Sequence, residues 1–376
     1  MKRISQSLAV DTSFAVWLCP RARISPFSQR CLHTTPVKPA TVAPITASGP
    51  PPKPPIASAE HVDSRVARRR KQAELLKRGQ DLRSIAAGSG GGTAKLKRFW
   101  NDVHIKDADE GLQVHLDKRP IRRPSKAILN VPHHKPHLAS ALALEWDLLI
   151  SAQQALRHDL IPLTSLVSRA LDIADEDAAG GSEIRSSIVT TVMRYLDTDS
   201  LLCWAPEPSA DPPGYETHEK RTESLRSIQE RTAIPIIAYL TERVWPGIEI
   251  LPDSDASTIM PVSQPQQTKD VIKGWVSGLP PFELAGLERA ALAGKTLLAA
   301  ARLVVEWSTE LAHLRDDTAQ EKFGKFGVEE AAKASTLEVD FQTGMWGEVE
   351  DTHDVNKEDV RRQLGSVVLL VSGQAQ

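Results

Sequence analysis

Cysteine is scarce in this chain of 376 residues: there are three, and two of them, Cys19 and Cys31, fall within the first 35 positions. Cys203 stands alone in the remainder, so no disulfide can form there, which excludes a disulfide-stapled fold and fits a reducing compartment. Long apolar runs are also missing. The most apolar helical stretch, Leu284 to Trp307, is interrupted by Glu288, Arg289, Lys295, Arg302 and Glu306. Gly365–Val371 falls far short of the ~20 residues a bilayer demands, so no membrane insertion is expected. The familiar catalytic and nucleotide signatures are absent too: no Gly-x-Ser-x-Gly elbow, no His-Glu-x-x-His pair, no dinucleotide fingerprint. Gly294-Lys295-Thr296 has the ending of a phosphate loop, but the required glycine five positions earlier is Arg289. Without it the backbone amides cannot wrap a phosphate, and Lys295 is expected as an ordinary polar helix position.

Two further groups invite a metal reading and fail it on spacing. His133, His134 and His137 follow Pro132 with no cysteine nearby, and are expected as surface histidines in a strand-to-helix loop. Asp172, Asp175, Glu176 and Asp177 miss the alternation of a calcium loop. They are expected as a solvated acidic loop. No metal and no cofactor is expected.

What is present begins with charge. Residues 1–94 carry a net +10 and the rest a net −12. A basic leader on an acidic body is the pattern of an imported protein and argues against a nucleic-acid partner. Lys2, Arg3, Arg21, Arg23 and Arg30 lie among many serines with Asp11 as the single early acid, the composition of a mitochondrial transit peptide. A secretory signal with Leu8–Leu18 as its apolar core is the rival, weakened by Asp11 inside it and the arginines after it. Arg30-Cys31-Leu32-His33 resembles a matrix-processing site. The organisation expected is a transit peptide over 1–35 and a proline- and glycine-rich linker over 36–94. That linker holds a basic exposed helix at 60–83 and the joint Gly88–Gly92.

The body starts near Lys95. Val103 and Ile105, then Leu112, Val114 and Leu116, alternate with polar neighbours around a turn at Asp107–Gly111, which predicts a β-hairpin. Ala127–Val131 supplies another strand. From Pro136 the period becomes helical, with segments around Ile184–Leu196, Leu225–Val244, Thr268–Gly278, Leu284–Leu314 and Val328–Gln342. The fold class is therefore α+β: a small N-terminal α/β, hairpin-rich domain over 95–158, then an all-helical C-terminal domain over 159–355. Residues 356–376 are expected as a C-terminal tail. Trp100, Trp146, Trp275, Trp307 and Trp346 sit beside apolar periodic positions and are expected in the core.

Several segments, read in order, carry a resemblance. They are Arg98-Phe99-Trp100, Leu116-Asp117-Lys118-Arg119-Pro120, Leu129-Asn130-Val131-Pro132, Glu145-Trp146-Asp147 and Pro162-Leu163-Thr164. Tyr195-Leu196-Asp197-Thr198-Asp199-Ser200-Leu201-Leu202-Cys203, Leu287-Glu288 and Trp346-Gly347 follow. Over residues 97–355 the chain resembles the assembly chaperones of the ATP synthase catalytic sector that handle the alpha subunit. The resemblance implies a matrix chaperone, not an enzyme, that binds the unassembled alpha subunit without nucleotide hydrolysis. It also places a functionally important acid at Gly286-Leu287-Glu288, making Glu288 the candidate client-binding residue. Gln229 with Ala233-Ile234-Pro235 departs from the family's pattern, losing a Trp and an Asp. Two other classes stay open: a stable subunit of a complex, and a matrix enzyme with a dispersed site drawn from Glu288, Arg289, Asp197 and Asp199.

Overall fold

Gly111 fixes the first element. Its φ is +138°, and a Cβ there would meet the Val131 carbonyl oxygen at 2.5 Å, so only glycine lets the hairpin close against the neighbouring strand. In the computed structural model β1 (Val103–Ala108) pairs antiparallel with β2 (Gly111–Leu116), Val103 opposite Leu116 and Ala108 opposite Gly111. The far side of β2 pairs with β3 (Arg119–Pro120) and β4 (Asn130–Val131). The structure describes residues 98–206, 223–252, 262–315 and 321–374, with Ala67, Arg69, Arg70, Lys71, Ala73, Glu74 and Lys77. The leader, its processing motif, the proline-rich stretch, the Gly88–Gly92 joint and residues 207–222 and 253–261 lie outside them. The described positions between 67 and 77 are helical and exposed, and Arg69 pairs with Asp354.

β2 carries the buried side chains Val114, His115 and Leu116, whereas β1 is an outer strand and its Ile105 is exposed. Helix α1 (Pro136–Asp147) covers this sheet with Leu138, Ala139 and Leu142. Trp100 is buried beneath it, 5.5 Å between ring centres from Trp146. The next junction explains two of the segments that carried the resemblance. Glu145 accepts hydrogen bonds from the backbone N–H of Leu163 (2.8 Å) and Thr164 (3.0 Å) and from the Thr164 hydroxyl (2.6 Å). The Trp146 indole donates to the same hydroxyl at 2.9 Å. Helix α2 (Pro162–Ala178) thus has proline at its first turn and its exposed N–H groups capped by a carboxylate from α1.

Helices α3 (Glu183–Asp197) and α4 (Leu225–Tyr239) pack against the pair α6 (Pro281–Gly294) and α7 (Leu297–Trp307), and α5 (Gln266–Ser277) packs on α3. The sequence predicts one helical segment over Leu284–Leu314; the structure breaks it at Gly294–Thr296. Lys295 takes the left-handed conformation (φ 53°) that ends α6, and the Thr296 side chain accepts from the Ala299 N–H to start α7. α7 is buried from Leu297 to Glu306, as a central helix must be. Its two charges pair with each other, and the Arg302 guanidinium lies 3.6 Å from the Tyr239 ring centre.

After α8 (Val328–Trp346) comes the largest correction. Residues 356–376, expected as a tail, supply most of helix α9 (His353–Val371), which packs along α6 with Val360, Leu364, Val367, Leu370 and Val371 buried. Those positions repeat at helical spacing, a pattern hidden by the polar residues between them. Buried Lys135 donates to the carbonyls of Leu370 (3.1 Å), Val371 (2.9 Å) and Ser372 (3.3 Å), tying the end of α9 to the start of α1. Burial lowers the Lys135 pKa, and the nearby Glu283 carboxylate opposes that shift. Trp346 is a second correction: at 50% exposure it lies outside the core, unlike Trp100.

Candidate functional site

Helix α6 positions the candidate acid by giving each residue of Gly286-Leu287-Glu288 a different neighbour. Gly286 faces α9, where a Cβ would stand 2.9 Å from a Val371 methyl and 3.3 Å from one of Val367. Leu287 is fully buried. Glu288 turns to α2 and meets Arg169 side-on, Nε to Oε2 and Nη2 to Oε1, both at 3.0 Å. Lys295, seven residues on, is not its partner. Gly286→Ala is expected to lower stability by about 1–2 kcal/mol, because overpacking against α9 outweighs the gain in helix propensity. A urea midpoint measurement checks this, and an unchanged or raised midpoint would contradict the close packing.

Charged groups of α9 extend the site. The hydrogen bond from Arg362 holds the Asp359 carboxyl below its usual pKa, and Arg289 adds to that effect. Arg362 also donates to the Asp159 carbonyl. On α2, Ser165 lies one turn before Arg169 and bonds His158 at 3.0 Å. This contact leads to a short 3-10 turn, Ala152–Leu156, on which Leu156 is 81% exposed. Leu148 and Ile150, just before that turn in the chain, are exposed, as are Leu144 of α1 and Phe99. The corner is held in place: Arg98 N–H donates to the Ile150 carbonyl (3.3 Å), and Gln154 accepts from the N–H groups of Ile150 (2.7 Å) and Ser151 (3.1 Å). Exposed apolar side chains and charged groups on one chain can together bind another polypeptide, by burying the first and matching the second.

The other candidates are engaged in holding helices. Asp199 is fully buried and accepts from the N–H groups of Leu297 (2.7 Å), Leu298 (3.0 Å) and Leu201 (3.0 Å). Burial nevertheless pushes its pKa up to about 6, against the opposing hydrogen bonds from Thr296 and those amides. Asp197 accepts from the Gln264 N–H at 2.9 Å and pairs with Lys269 at 2.7 Å. Their partners are these helix-joining groups, not Glu288 or Arg289. The acidic stretch expected as a loop is the end of α2. There Asp172 and Asp175 pair with Arg123, Asp177 pairs with Arg185, and Glu176 accepts from the first amides of α3. His133 bonds Asp107 at 2.9 Å. The described residues hold no group of three or more His, Cys, Asp or Glu placed to bind a metal, and no described helix is long and apolar enough to cross a membrane.

Arg169 has no signature in the sequence, since its partner lies 119 positions away and nothing local marks it. The pairing of Glu145 with the start of α2 joins two segments of the resemblance, Glu145-Trp146-Asp147 and Pro162-Leu163-Thr164, and nothing local in either marks the contact.

Three comparisons bear on this arrangement. The family model described as ATP12 chaperone protein matches residues 97–241. The mitochondrial protein atp12 of Schizosaccharomyces pombe is 30% identical over 275 residues, covering 73% of this chain and 82% of that one. Its Saccharomyces cerevisiae counterpart is 31% identical over 293 residues, covering 73% and 83%. Among solved structures, Atp12 from Paracoccus denitrificans has the same fold at a TM-score of 0.51 and 20% identity, over 73% of this chain and 97% of that one.

Proposed function

The chain belongs to the ATP12 chaperone protein family, and from that premise we propose that it is an ATP-independent assembly chaperone of the mitochondrial matrix. Its client is the unassembled alpha subunit of ATP synthase, which it keeps from aggregating until the catalytic head forms. The observation that carries this reading is the exposed apolar corner of Phe99, Leu144, Leu148, Ile150 and Leu156. Large exposed apolar side chains mark an interaction surface, and a lone subunit of a ring presents the apolar face such a surface can cover. Glu288 on α6, paired with Arg169 of α2, is the residue proposed to meet the client. A partly polar interface suits a chaperone, which must bind well enough to prevent aggregation and still yield to the true neighbour. The basic, acid-poor leader and the mitochondrial names of the relatives support the compartment.

Mixing the purified chain with isolated alpha or beta subunit, without nucleotide, tests the partner by sedimentation. A complex with alpha and none with beta is expected. Failure to bind alpha, or equal binding of both, would overturn the assignment.

A further inference from the structure

The Glu288 carboxylate and the Arg169 guanidinium form a fork-to-fork pair, a geometry that fixes both groups as well as joining them. The pair is open to solvent on one side: the Glu288 side chain is 18% exposed and that of Arg169 37%. The Glu288 carboxylate makes no other hydrogen bond among the described residues, and Arg169 Nη1 makes none, so each keeps bonding capacity for a second partner. Because the two charges cancel, a lone cation approaching Glu288 is repelled by Arg169 nearly as much as it is attracted. A group that offers a donor and an acceptor together gains from both members.

We infer that Arg169 is a positioning and specificity-determining residue of the client surface. It holds the Glu288 carboxylate in one orientation and contributes its own Nη1 donor. The group the pair recognises is an unpaired peptide edge of the client, its N–H donating to Glu288 and its carbonyl accepting from Arg169. An unassembled subunit exposes such edges where neighbours belong, and backbone recognition suits a contact that must later be given up. This inference rests on Glu288 meeting the client.

The test compares full-length variants by melting temperature and by affinity for purified alpha subunit. Arg169→Ala is expected to weaken binding about tenfold, the loss of one charge-assisted hydrogen bond. Arg169→Lys, which keeps the charge and an ion pair but loses the fork, is expected to bind nearly as poorly while melting like wild type. The double swap Arg169→Glu with Glu288→Arg restores an internal pair and hence the melting temperature, but reverses donor and acceptor, so binding stays weak. A swap that restores both readouts would make the pair purely structural and overturn the inference. So would wild-type affinity in both Arg169 variants alongside failed binding in Glu288→Lys. Wild-type affinity in Glu288→Lys itself would remove the client role of Glu288, and the inference with it.

Discussion

Asp199→Ala is expected to destabilise the chain by roughly 3–5 kcal/mol, the largest single-residue effect outside the apolar core. The carboxylate sits where α3 ends and joins that corner to the start of α7, accepting from Leu201, Leu297 and Leu298. Removing it leaves three buried N–H groups without their acceptor, each costing about 1–3 kcal/mol before the site relaxes. The Thr296 hydroxyl, which donates to Asp199 while accepting from Ala299, loses its own acceptor as well. Denaturant unfolding measures the loss, and a change under 1 kcal/mol would mean that the α7 start is held by other contacts.

The same group gives a pH signature. Its folded pKa, pushed up from 3.8 to about 6, lies above the unfolded value, so the folded chain binds more protons between those limits. The resulting stabilisation is complete below pH 3.8 and is lost as pH rises through about 6, a change on the order of 3 kcal/mol. Asp199→Asn cannot titrate. The stability of wild type relative to this variant should therefore fall across that window and stay level above it. A difference that is flat from pH 4 to 7 would contradict the burial-dominated shift.

Glu288→Lys is expected to abolish client protection while leaving a folded, soluble chain. Reversing a charge at a desolvated contact commonly costs about 2–5 kcal/mol of binding, which turns a submicromolar complex into one too weak to matter. The fold tolerates the change better, because the Arg169 side chain it would face reaches solvent and can turn away. Glu288→Gln, with no added charge, separates repulsion from loss of the carboxylate and is expected to retain part of the affinity. Side-by-side melting and aggregation curves decide: a variant that melts far below wild type would show that the pair with Arg169 is needed for folding itself.

The parts of this fold that were legible in the sequence are those written locally. Alternation around Gly111 marked the hairpin, and the change of period at Pro136 marked the first helix. Local pattern failed where local residues were ambiguous. The break at Lys295 was unseen because a left-handed lysine leaves no trace in an apolar period of 3.6. The acids of Asp172–Asp177 looked like a loop because their arginine partners, Arg123 and Arg185, lie elsewhere in the chain. Helix α9 was concealed by charged residues that ring its buried stripe. Glu288 could be singled out only through the family resemblance at Gly286-Leu287-Glu288. Its pairing with Arg169 could not, because a contact between distant positions follows from how α2 and α6 pack.

The most direct test of the account is light scattering from isolated alpha subunit held at a temperature where it aggregates. Equimolar chain, with no nucleotide, should suppress the scattering, and equimolar Glu288→Lys should not. Scattering unaffected by the wild-type chain, or suppressed equally by both proteins, would contradict it.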